Sequence, residues 1–141
     1  MIDNLLAEDI NFIDSPAAYG AAEKAVGITT EGRRDKFYLA TKVRIEGKEA
    51  GENQIAQSFQ NFNTYYIDRL QVHNMIDVQT HLPTLERLKE EGKAGLIGVT
   101  AMVNETYDEV MDRDAHRPDR YRPDPLQRCP ARGRGKAAAP G

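Results

Sequence analysis

Apolar, strand-like runs alternate along this chain with segments of helical character, and that alternation constrains the fold more than any other feature. The runs are Ile10-Asn11-Phe12-Ile13, Phe37-Tyr38-Leu39-Ala40-Thr41, Tyr66-Ile67-Asp68-Arg69-Leu70-Gln71-Val72 and Leu96-Ile97-Gly98-Val99-Thr100. They predict strands over 10–14, 37–43, 66–72 and 96–100. Strands that alternate with helices build a parallel sheet, because each crossover returns the chain to the same end. Whatever follows each strand then collects at one rim. Asp14, Tyr19, Lys42 and His73 each sit at or just past the end of a run. A carboxylate, a phenol, an ammonium and an imidazole at one rim are the components of a proton-transfer site.

The segments between the runs carry helix signals. Gly20 to Val26 reads as a helix stopped by Gly27, and Gly47 to Gly51 reads as a loop. Ile55, Phe59 and Phe62 recur at i, i+4 and i+7, the stripe of a helix packed on a sheet. Leu82, Leu85 and Leu88 mark another helix, closed by Glu90-Glu91-Gly92. Leu5-Leu6-Ala7-Glu8 has the character of a last helical turn, and Asn104 that of an N-cap for a helix with Tyr107, Val110 and Met111. About four β-α units result. Right-handed crossovers make them a doubly wound sheet or part of a (β/α)8 barrel. No strand leads into a Gly-x-Gly-x-x-Gly turn, which argues against a Rossmann nucleotide site.

Charge divides the 141 residues in two. Residues 1–112 hold 11 Lys+Arg against 19 Asp+Glu, a net of −8, while residues 113–141 hold 8 against 3, a net of +5. The tail also holds five of the seven prolines, and Leu126 is its only Val, Ile, Leu, Met or Phe. So little apolar surface cannot offset the entropy of ordering, so 113–141 is expected to be disordered. Its single aromatic, Tyr121, and patternless arginines argue against a nucleic-acid arm. His116 and Cys129 are isolated and lack zinc-ligand spacing, so no metal site is expected. One cysteine forms no internal disulfide, no run approaches the ~20 apolar residues of a membrane span, and the N-terminus lacks a signal-peptide pattern. A cytoplasmic protein is the expectation.

Each rim residue also has a structural role open to it. Asp14 can cap a strand end, Tyr19 can pack as a rim aromatic, Lys42 can be a solvated lysine, and His73 can be a satisfied structural histidine. Their common placement favours chemistry, because catalytic groups of parallel α/β sheets gather at strand C-termini. A phenol near pKa ~10 holds its proton at neutral pH, and a nearby cation eases its release. That makes Tyr19 the candidate general acid, Lys42 the cation, Asp14 its anchor, and His73 a hydrogen-bond partner for a substrate oxygen or a relay to Tyr19.

These residues lie in stretches that resemble the aldo-keto reductase family. Asp14-Ser15-Pro16-Ala17-Ala18-Tyr19-Gly20 is similar to its Asp and Tyr-Gly signature. Phe37-Tyr38-Leu39-Ala40-Thr41-Lys42-Val43 is similar to its lysine strand, and Tyr66 through His73 to its histidine strand. Glu90 through Thr100 resembles the helix-to-strand join that follows. The resemblance covers residues 5–112 in order and spacing. It implies a (β/α)8 barrel that reduces aldehydes or ketones to alcohols with NADPH, with a small-molecule carbonyl as substrate. Hydride would pass from the nicotinamide to the carbonyl carbon while Tyr19 protonates the alkoxide, Lys42 and Asp14 tune it, and His73 orients the carbonyl.

A (β/α)8 barrel usually needs ~250 residues. The expectation is therefore a partial barrel over 1–112 without the later units that bind the NADPH phosphates and adenine, inactive by itself. No residue here is assigned to cofactor binding. A non-catalytic binding or regulatory barrel subunit is the alternative. The Arg-Pro-Ala composition from about residue 113 matches a GC-rich gene read out of frame. Back-translated and read one nucleotide later, Ala115 to Asp124 permits Arg-Thr-Gly-Arg-Ile-Asp-Thr-Val-Gln-Ile, which is similar to the family's next strand. Sequencing the locus tests this; a restored frame that does not continue the barrel rejects it.

Overall fold

The structure, a computed structural model, describes Glu8, residues 10–17 and residues 20–101. The expected N-terminal helical turn before Glu8, Tyr19, the helix after Asn104 and the basic tail at 113–141 lie outside the described residues. Four strands, β1 (Phe12–Asp14), β2 (Tyr38–Val43), β3 (Ile67–Val72) and β4 (Ala94–Val99), alternate with three helices, α1 (Ala22–Thr29), α2 (Lys48–Asn61) and α3 (Val78–Glu90).

All neighbouring strands are parallel, and they lie in the order β1-β2-β3-β4. A doubly wound sheet reverses its strand order at a switch point, whereas here every strand adds on the same side. With right-handed crossovers, that order sends every helix to one face. The helices do form one layer, α1 packing on α2 and α2 on α3. This is an arc of a (β/α)8 barrel, and it resolves the choice that the sequence pattern leaves open.

The core lies between the sheet and this layer. Leu39, Val43, Leu70 and Val72 meet Ile55, Phe62, Leu85 and Leu88, all buried. Burial at about 25 cal/mol per Å² of apolar surface is what holds such a layer together. One polar tie crosses it, and a second closes the ends of the strands where they begin. Glu23 on α1, 1% exposed, accepts from the Thr41 hydroxyl at 2.6 Å and from the Asn61 amide at 3.1 Å. Below the sheet, the Arg34 guanidinium meets buried Asp68 at 2.6 Å, and Asp68 also accepts the Leu39 N–H at 2.9 Å.

Two glycines behave differently from expectation. Gly27 does not stop α1, which runs on to Thr29. A Cβ at Gly27 would lie 2.1 Å from the Asn61 carbonyl oxygen, so the glycine is where α1 and α2 touch. Gly51 is not in a loop but buried inside α2, where a Cβ would lie 2.3 Å from Cε1 of His81 on α3. Strand edges also shift: β1 begins at Phe12, and β4 begins at Ala94 rather than Leu96. Among the described residues, no helix is long and apolar enough to cross a membrane.

Candidate active site

The rim is assembled by register. Asp14 ends β1 and pairs with Ala40, while Lys42 pairs with Gln71. Side chains alternate along a strand, so Asp14, Ala40 and Lys42 share the face turned away from the helices. Lys42 Nζ lies 2.5 Å from both Asp14 oxygens. The Lys42 side chain is 12% exposed and that of Asp14 38%, so the pair is only partly screened by water.

His73 follows β3 directly, one alternation beyond Gln71 and hence just above Lys42. The turn that carries it is fixed from β4: the Thr100 N–H donates to the Val72 carbonyl at 2.8 Å, and the Asn74 N–H to the Thr100 hydroxyl at 2.9 Å. Asn74 and Met75 adopt left-handed backbone, φ 51° and 59°. That region costs a non-glycine residue about 1–2 kcal/mol, and such strain collects where a side chain must be presented in one direction.

Burial pushes the His73 imidazole below the ordinary histidine range, and the charges of Arg44 and then Lys42 push it further, while Asp14 opposes them. The ring is therefore neutral at neutral pH. Its Nδ1 is buried with no hydrogen-bond partner among the described residues, as is the Ser15 hydroxyl. Nε2 is the nitrogen left to meet a ligand.

Of the four residues singled out in the sequence, three, Asp14, Lys42 and His73, come together at one end of adjacent strands. Tyr19 lies outside the described residues. Arg44 was not singled out, although its even spacing from Lys42 was a usable signal. The loop that carries it is clamped. The Arg44 N–H donates to Gln54 Oε1 at 2.6 Å, and the Gly47 N–H to Asp77 Oδ2 at 2.8 Å. The Ile45 carbonyl lies 2.6 Å from His81 Nε2, and because a carbonyl only accepts, that nitrogen carries the proton. The Thr80 hydroxyl donates to Asp77 Oδ1 at 2.6 Å. That bond first, and the Gly47 N–H second, hold the Asp77 carboxyl below its usual range.

A groove of about 360 Å³ lies elsewhere, between α2 and α3, lined by Ile55, Phe59 and Leu88. Thr64 and Lys93, which precede β3 and β4, place it at the opposite end of the strands from the rim. Its cations are engaged, Arg87 with Glu52 and Glu91, and Lys93 with Glu91.

At the rim a neutral imidazole stands near an ammonium held by a carboxylate, an arrangement suited to holding an oxygen and moving a proton. Among the described residues a dinucleotide's usual phosphate cradle, a glycine-rich turn with cations about it, is not formed. Arg34, Arg87 and Lys93 are ion-paired away from the rim, and no glycine-rich turn follows a strand.

Comparison with known proteins agrees with this geometry. The sequence model of the aldo/keto reductase family matches residues 1–124, past the change in charge at 113. An L-galactose dehydrogenase of Arabidopsis thaliana is 31% identical over 74% of this chain and 38% of its own length. The aldo-keto reductase YhdN of Bacillus subtilis is 31% identical over 73% of this chain and 36% of its own. Among solved structures, the holo form of aldo-keto reductase AKR11C1 from Bacillus halodurans superposes with a TM-score of 0.69 at 27% identity, covering 79% of this chain and 43% of that one. An aldo-keto reductase from Klebsiella pneumoniae in complex with NADPH gives 0.63 at 29% identity, covering 74% of this chain and 38% of that one. The chain thus spans less than half the length of these relatives.

Proposed function

Because the chain belongs to the aldo/keto reductase family, and so to a family of oxidoreductases, we propose that it carries the proton-transfer part of an NADPH-dependent reductase of aldehydes or ketones. The observation that supports this best is the Asp14–Lys42 pair set beside His73 at the strand ends. NADPH, when bound, supplies the hydride. The Klebsiella relative, crystallised with NADPH, makes that cofactor the natural choice.

The chain's own groups then have distinct tasks. The neutral imidazole of His73 holds the carbonyl oxygen by a hydrogen bond from Nε2. Tyr19 gives its proton to the developing alkoxide. The Lys42 ammonium stabilises the phenolate left behind, and Asp14 keeps that ammonium charged and in place. Residues 1–112 form the barrel segment and 113–141 a separate basic tail. Residues 1–141 alone do not turn over, since the described residues offer the phosphates no cradle. The same observation favours one alternative, a non-catalytic barrel subunit located, like the reductase, in the cytoplasm.

If the residues from about 113 are out of frame, a gene with the frame restored there separates the two. Its product is expected to oxidise NADPH in the presence of aldehydes, and Tyr19→Phe to lower kcat by 10²–10⁴-fold, the usual contribution of general acid catalysis. A restored protein that binds NADPH yet reduces no carbonyl, or a Tyr19→Phe variant with full activity, contradicts the proposal.

A further inference from the structure

We propose that Arg44 sets substrate specificity, engaging a carboxylate on the carbonyl substrate while His73 meets the carbonyl. This rests on the reading of the rim as a carbonyl site. Arg44 stands two residues beyond Lys42, in the alternation that puts Tyr38, Ala40 and Lys42 on the rim face. Its positive charge, together with that of Lys42, lowers the pKa of His73, as the shared rim face leads one to expect. Among the described residues it has no carboxylate partner, unlike Lys42, Arg34, Arg87 and Lys93.

The backbone beneath it is held more firmly than a surface arginine needs. Gln54 on α2, His81 on α3 and Asp77 just before α3 fix residues 44, 45 and 47. Gly51 leaves space for the His81 ring. A guanidinium on a fixed backbone presents two parallel donors, which match a carboxylate bidentately. One guanidinium balances one carboxylate. A phosphate dianion calls for a second cation, and Lys42 is already held by Asp14 at 2.5 Å.

The whole chain, labelled for NMR, tests this through the His73 ring resonances. The probes are 4-carboxybenzaldehyde, benzaldehyde and 4-methylbenzoate. The acid aldehyde is expected to bind at least tenfold more tightly than benzaldehyde. Arg44→Ala and Arg44→Glu should remove that preference with core amide resonances unchanged, and Arg44→Lys should retain part of it. Equal binding of the two aldehydes, no binding of any probe, or a preference that survives Arg44→Ala overturns the proposal. If 4-methylbenzoate binds through Arg44 and perturbs His73 just as the acid aldehyde does, the carboxylate contact stands and the carbonyl reading falls.

Discussion

At His73 the field of the rim can be measured. Its imidazole should titrate below the ~6.5 of a free histidine. Arg44→Ala should raise that value, because it removes a cation, and Asp14→Asn should lower it, because it removes the opposing carboxylate. An NMR pH titration of the three proteins checks both signs. The unfolded chain, with the higher histidine pKa, binds the proton more readily. The His73 contribution to stability is therefore full above ~6.5 and is lost as pH falls through the folded value. Thermal unfolding at pH 7 and pH 5 should show a larger loss for the native chain than for His73→Gln. Asp14, Lys42 and His73 were legible in the sequence because each follows a recognisable apolar run. Arg44 was legible only in part: its even spacing from Lys42 is visible, but its effect on a residue 29 positions away is not.

The elements depend on contacts that a one-dimensional pattern hides. Glycine disfavours helix interiors, so Gly27 and Gly51 looked like punctuation. In the folded chain they are points of close approach. Gly27→Ala should destabilise by about 1–3 kcal/mol, since its new methyl meets the Asn61 backbone and backbone yields least. Gly51→Ala should instead displace the His81 ring and release the Ile45 carbonyl, which exchange of amides in the 44–47 loop would report. The end of α2 permits the opposite test. Asn63 has φ 48°, and the Thr64 N–H reaches back to the Phe59 carbonyl at 3.2 Å in a left-handed helix cap. Asn63 is exposed, so Asn63→Gly should raise stability by up to ~1 kcal/mol and Asn63→Val should lower it, as denaturant midpoints would show.

For the molecule as a whole, the alternation of strands and helices was readable, but the strand order was not. Periodicity says which residues face a core; it does not say on which side the next strand lands. The order β1-β2-β3-β4 and the helices packed in sequence supply that information. The result is a barrel arc whose interior face still shows Phe12 and Leu96 nearly half exposed, with Phe12 stacked on Tyr38 at 5.3 Å. That face carries Asp14, Lys42 and His73, while among the described residues no glycine-rich turn offers a dinucleotide's phosphates a cradle. A calorimetric titration of NADPH into the 141-residue chain tests this division most directly. The prediction is no binding in the micromolar range; a micromolar Kd would contradict it.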